Sequence, residues 1–248
     1  MLRFMSAMAA GLLLATASSG AHAITFSFSC TGDVQTDVCT QSGSGGSTTS
    51  AVLEFTQLDD DTLEVIVDNT SPADFIPALL SFGFFVDPDG AAIDTFSIVA
   101  DDSTGTATDI TALWTITQSS QGLNADFIAD NGGGNQDGLY NPEVIGSPVA
   151  GSIGNTNPFF TTATFTFNFQ QPVALVFDDV GLGSGLTGAT FVRFQRVGPG
   201  AEGSTKIACR SGDPYCNPTT VPEPATLALL GGGLMGIAIF GRRRRLLR

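Results

Sequence analysis

From Ile24 onward, apolar residues recur at every second position. Ile24, Phe26 and Phe28 alternate with Thr25, Ser27 and Ser29, and Phe165, Phe167 and Phe169 alternate with Thr164, Thr166 and Asn168. Leu63, Val65 and Val67 face away from Glu64 and Asp68. Successive side chains of a strand point to opposite faces, so a period of two predicts strands with one buried face. The windows Ala51 to Gln57, Leu79 to Val86, Thr95 to Ala100, Thr108 to Thr117, Asp126 to Ala129, Val173 to Asp178 and Thr190 to Val197 read the same way, which makes roughly ten strands. Asp59-Asp60-Asp61, Asn69 to Pro72, Asp87-Pro88-Asp89-Gly90, Asn131 to Gly134 and Gly181 to Gly188 supply turn chemistry between them. Gln41 to Ser50, rich in Gly, Ser and Thr, reads as a linker or long loop. No amphipathic helix stands out. The pattern predicts an all-β fold, a two-sheet antiparallel β-sandwich of jelly-roll-like type, with a Phe-rich core.

The two ends break this pattern. Arg3, the apolar stretch Met8 to Ala17 and the Ala21-His22-Ala23 site have the order of a secretory signal peptide, with cleavage expected after Ala23. The apolar run is about ten residues long, and a membrane span needs about 20. At the other end, Val221-Pro222-Glu223-Pro224 is followed by an uncharged stretch from Ala225 to Gly241 and then by Arg242, Arg243, Arg244 and Arg245. As a helix that stretch reaches roughly 25 Å, a short span that flanking arginines make workable. Positive residues stay on the cytoplasmic side, so everything before Pro222 faces outward. The two prolines remove backbone donors and hold the segment around Glu223 out of helix, and Thr219, Thr220 and Val221 extend the same open linker. Gly232 and Gly236 form a small-xxx-small pair on the helix.

These three ordered elements, Pro-Glu-Pro, the glycine-containing apolar helix and the arginine block, resemble the PEP-CTERM sorting signal of Gram-negative bacteria. The resemblance implies that exosortase, an integral-membrane transpeptidase, recognises the tail, cuts near the motif and passes the protein to the cell surface or matrix. It also implies a setting in which exopolysaccharide is made. The expected organisation is a signal peptide over residues 1–23, a β-sandwich domain over 24–217 and a sorting tail over 218–248.

Charge changes the picture of partners. Between Arg3 and Arg193 there is no Lys or Arg, and from Ile24 to Val221 four basic residues against 23 acidic ones leave a net charge of −19. Nucleic acid is excluded as an expected partner, because its phosphates are held first by Lys and Arg. Cations, neutral glycans and basic surfaces fit, and a net acidic surface also keeps an exported protein soluble. The cysteines fall in two local pairs, Cys30 with Cys39 and Cys209 with Cys216, and short spacing in an oxidising compartment predicts two local disulfides. Zinc is disfavoured by the wide spacing and by the lack of any histidine after His22.

That lack also removes Ser/His and Cys/His nucleophile arrangements. A P-loop is absent as well. Paired carboxylates remain as the one catalytic possibility, with Asp178 and Asp179 first in line and turn solvation as their plain alternative. Calcium is the better candidate ligand, since hard cations take several loop oxygens. Asp130, Asn131, Asn135 and Asp137, set among Gly132, Gly133, Gly134 and Gly138, form the leading segment, and Asp87, Asp89 and Asp94 form a second. Trp114 beside Ile116 on a strand reads as core, whereas Tyr140 after the Gly-rich loop is the more exposed candidate for stacking on a sugar.

The expected function is therefore non-enzymatic. It is that of an exported surface or extracellular-matrix protein, processed by exosortase, with a structural or adhesive role beside exopolysaccharide. Exosortase and extracellular polysaccharide are the expected partners, the inner membrane is met transiently through the tail helix, and calcium is the sole candidate cofactor. The alternatives are a calcium-dependent carbohydrate-binding module and a carboxylate-based glycan hydrolase or lyase.

Overall fold

The computed structural model describes residues 23–72, 77–102, 104–131, 138–140, 160–210 and 219–221. The alternating segments build two large sheets. The first runs, edge to edge, β16 (Thr219–Val221), β1 (Ala23–Thr31), β3 (Thr48–Gln57), β4 (Thr62–Asn69), β10 (Phe160–Phe169), β6 (Ile93–Asp102) and β7 (Ala107–Asp109). The second runs β2 (Cys39–Ser42), β15 (Gly203–Cys209), β14 (Thr190–Val197), β5 (Ala78–Asp87), β9 (Leu123–Asp130) and β8 (Thr115–Ser120), with β11 (Ala174–Val176) on the far end of β5. A small hairpin, β12 (Val180–Gly183) and β13 (Leu186–Gly188), completes the strands. Every ladder between these strands is antiparallel. Among the described residues there is no α-helix. The all-β sandwich expected from the period of two is what the chain forms.

Local chemistry sets the hairpins. Between β8 and β9, Gln121 and Gly122 both take positive φ, the geometry of a two-residue turn whose twist matches the flanking strands. Between β6 and β7, Asp102 Oδ1 accepts from the backbone N–H groups of Thr104 and Thr106, so the side chain stands in for turn hydrogen bonds.

The inner faces meet in a core of phenylalanines. Phe165 of β10 sits edge-on to Phe82 of β5, with ring centroids 4.8 Å apart, and edge-on to Trp114 at 5.0 Å. Phe55 of β3 and Phe167 of β10 both reach Phe84 of β5, and Phe127 of β9 meets Phe169. Edge-to-face pairs add to the burial of apolar area, so this layer fixes how the two sheets face one another. A second apolar cluster lies on the other face of the second sheet, where Leu182 and Leu186 of the small hairpin cover Phe191, Leu123 and Ala208.

Several expectations are corrected. Gln41 to Ser50 is no linker: β2 and the start of β3 occupy its ends, and its glycines let backbones approach closely. A Cβ on Gly203 would lie 2.7 Å from Gly43 O and 2.7 Å from Ser42 O, so the loop packs against the β14–β15 turn. Gly181 to Gly188 is not a plain turn but the β12–β13 hairpin, pinned by buried Leu182 and Leu186. The window Thr108 to Thr117 is broken by a 3₁₀ turn at Thr111–Leu113, where the chain leaves the first sheet for the second. Asp109 Oδ1 accepts from Thr111 N–H, and Thr111 Oγ1 accepts from Ile98 N–H, which draws the backbone out of the ladder. Trp114 follows that turn and is buried in the core, 2 % exposed, as the Trp beside Ile suggested. Tyr140 is 1 % exposed rather than open for stacking, because Tyr140 N–H donates to Phe160 O and holds the residue against β10. Thr219, Thr220 and Val221, read as open linker, form β16 on the edge of the first sheet.

Candidate functional site

Three places in the sandwich bear on function, and the first is the corner where the chain ends leave it. In the β1–β16 ladder Ala23 lies opposite Val221, Ile24 opposite Thr220 and Thr25 opposite Thr219. Ala23 of the expected cleavage site is thus the first residue of β1. Ala21, Pro222, Glu223, Pro224, Arg242, Arg243, Arg244, Arg245 and the expected membrane helix lie outside the described residues.

Near the opposite end of β1, the Cys30–Cys39 disulfide joins β1 of the first sheet to β2 of the second, with Cα atoms 6.3 Å apart and both residues buried. Cys209 is also disulfide-bonded, while Cys216 lies outside the described residues. Closing a loop of about ten residues removes unfolded-chain entropy worth roughly 2.5–3 kcal/mol. The Cys30→Ser/Cys39→Ser variant is therefore expected to lose about that much stability in urea unfolding, and an unchanged midpoint would show that the bridge is dispensable.

Polar anchors order the loop that follows. Asp33 Oδ1 accepts from Ser44 N–H at 2.7 Å and from Ser44 Oγ at 2.9 Å, and Asp37 pairs with Arg210 at 2.7 Å. The Ser44 N–H holds the Asp33 carboxyl below its ordinary range, and the Arg210 guanidinium does the same for Asp37. A lowered carboxylate pKa contributes stability that is present above the unfolded value near ~4 and is lost as pH falls through the folded value. The melting-temperature gap between the wild type and Asp33→Asn should accordingly be open at pH ~6 and close as pH falls below ~4. A gap independent of pH would contradict this.

The second place is the leading calcium candidate. Asp130 ends β9 and is 6 % exposed, and Asn131 follows it, also buried. Asn135 and Asp137 lie outside the described residues, and no group of three or more His, Cys, Asp or Glu side chains gathers for a metal among those described. Asp130 Oδ2 accepts from Ser120 Oγ across the β8–β9 hairpin. The ladders set Asp130 opposite Ser81, and Ser81 opposite Arg193. Arg193 is 4 % exposed; burial lowers its pKa, and the Asp130 charge acts in the opposite sense. Asp130 thus answers a buried positive charge from within the sheet. Of the second calcium candidate, Asp87 closes β5, Asp89 is exposed in the turn after it, and Asp94 lies on β6.

The third place was not legible in the sequence. A cleft of about 520 Å³ opens at the seam between β6 of the first sheet and the β8–β9 hairpin of the second. Ile93, Phe96, Ile116 and Phe127 give it an apolar lining, and Asp94 and Asp126 add two carboxylates. Asp126 Oδ2 accepts from Val86 N–H at 3.0 Å, which fixes that carboxylate. Asp178 and Asp179 are not part of it: both are exposed between β11 and β12. No local signal marks the cleft, because its two walls come from strands of different sheets.

Comparison with known proteins bears on the first of these places. Residues 220–245 match the family model of the PEP-CTERM protein-sorting motif. No curated protein and no solved structure matches the chain. The chain therefore carries a PEP-CTERM sorting motif, as its Pro-Glu-Pro, apolar and arginine elements indicated. That motif implies export, processing by exosortase, and sorting to the cell surface or extracellular space.

Proposed function

We propose that this protein is a non-catalytic structural or adhesive component of the extracellular polysaccharide matrix, delivered there by its sorting tail and held there by the seam cleft. The observation that carries the adhesive half is the composition of the cleft. An apolar lining with two carboxylates, that of Asp126 fixed by Val86 N–H, suits sugar rings, whose C–H faces pack on aromatic surface while their hydroxyls donate to carboxylate oxygens. The strongly acidic outer domain favours a neutral glycan over a polyanionic one.

The test is co-sedimentation of the processed protein with matrix polysaccharide from cells that make it. Phe96→Ala and Asp94→Ala are each expected to weaken retention roughly tenfold, the effect of losing about 1.4 kcal/mol, with the melting temperature unchanged for exposed Asp94 and lowered for Phe96, which packs against the core. In cells without exopolysaccharide the protein should move from the matrix to the medium. Equal retention by the variants, and equal distribution in both cell types, would remove the adhesive reading. A hydrolytic role would show instead as shortening of the polysaccharide that Asp126→Asn abolishes.

Calcium enters this reading through Asp130, Asn131, Asn135 and Asp137. Binding to the folded state alone raises stability by about 2.7 kcal/mol at a hundredfold excess over Kd. A melting temperature that does not move in millimolar calcium removes the calcium-dependent form and leaves the cleft reading intact.

A further inference from the structure

We propose that the fold presents the residues just ahead of the sorting motif to exosortase as a ready-made edge strand. On this view β16, held extended on β1, offers its outer backbone edge for strand addition by the enzyme. The inference rests on tail processing by exosortase and goes beyond it by assigning a part in recognition to the folded domain.

Three observations support it. First, β16 ends the strand order of its sheet, with β1 as its one ladder neighbour among the described residues, so one side of its backbone is paired and the other meets no described strand. An edge of that kind is a template for another strand. Second, the match to the sorting motif begins at Thr220, inside β16, so the strand and the recognised segment overlap. Pro222 follows at once and has no N–H to donate to a ladder.

Third, Ala23 lies directly opposite Val221. The expected exported chain begins one residue later, at Ile24 opposite Thr220, and the segment that the sequence directs to the membrane follows Val221 directly, at this corner. A membrane enzyme meets the domain at that corner. The corner already holds the substrate backbone in the extended form that strand addition requires, which lowers the ordering cost of binding. A free linker would have to be ordered on the enzyme.

The pair Thr25 and Thr219 tests this, because both residues lie outside the matched segment, and N-terminal sequencing controls for the closeness of Thr25 to the expected signal cleavage bond. Thr25→Gly/Thr219→Gly weakens the ladder, since glycine disfavours strand conformation. Thr25→Cys/Thr219→Cys locks it through a cross-strand disulfide, confirmed by non-reducing peptide mass mapping. Tail removal is followed by pulse-chase and intact mass in cells expressing the full chain, with N-terminal sequencing to check normal signal removal.

The glycine variant is expected to lose its tail about tenfold more slowly, because the competent state is less populated, with Thr25→Gly alone as the control for weakening β1, which also pairs with β3. The cross-linked variant should lose its tail at least as fast as the wild type and yield a product that still contains the bridge. A glycine variant processed at the wild-type rate overturns the proposal, as does a cross-linked variant whose tail is retained, which would mean that β16 must peel from β1 first. If the unaltered chain keeps its tail in cells with exosortase, the processing reading itself fails and this proposal fails with it.

Discussion

Replacing Glu223 with Ala is expected to leave export intact and to stop tail removal, so that full-length protein accumulates in the inner membrane. Ala225 to Gly241 is short and glycine-rich, and the arginines from Arg242 are expected to keep its far end on the cytoplasmic side. Such a segment is expected to delay the protein at the membrane rather than to anchor it permanently. Ahead of it, Pro222 and Pro224 are expected to disfavour helix, and Glu223 is the only charge between β16 and the arginine block.

An enzyme that reads this site has that one carboxylate to pair with. Removing one partner of a desolvated charge pair costs about 2–5 kcal/mol, so processing should fall by more than tenfold. The substitution scarcely alters the hydrophobicity of the span, so insertion is preserved. Intact mass gives the readout. The wild-type surface protein should end between Val221 and Pro224, and the variant should retain Arg248. Deleting Arg242 to Arg248 should likewise leave export intact while impairing retention and processing, because the positive-inside signal is lost. Unchanged release of the Glu223→Ala protein would show that the motif is not read at this residue.

Phe165→Ala is expected to cost the sandwich about 4 kcal/mol, as large a loss as any single truncation in the core should produce. Phe165 is fully buried, packs edge-on against Phe82 and Trp114, and stacks on Phe167 of the same strand. Truncation removes the transfer free energy of the ring, leaves a cavity between sheets too well tied to collapse, and deletes two edge-to-face pairs. Against a total stability of about 5–15 kcal/mol for a domain, this leaves little margin. Urea unfolding of the secreted domain should show a midpoint lowered in proportion with an unchanged slope. A shift below ~1 kcal/mol would mean that the sheets close over the gap.

What the sequence determined by itself was everything carried by local order along the chain. The period of two placed Phe26, Leu63, Val65, Val67, Phe165 and Phe167 in the core, because a strand has only two faces and burial sorts them. The sorting tail was legible because exosortase reads a contiguous segment, so its elements must stand in linear order. Short cysteine spacing indicated the Cys30–Cys39 bridge for a similar reason.

What only the tertiary structure decided depends on which strands become neighbours. Glycine-rich segments such as Gln41 to Ser50 look like linkers, yet here the missing Cβ atoms let Gly43 and Gly203 touch, a need that arises only once β2 reaches β15. Tyr140 looked exposed because its cover, β10, begins twenty residues later. The seam cleft joins Asp94 to Asp126 across two sheets, and the Thr219 to Val221 segment became a strand because β1 had an edge open to it. Each of these is a long-range pairing, and a linear pattern records which face of a strand is buried but not which strand lies beside it.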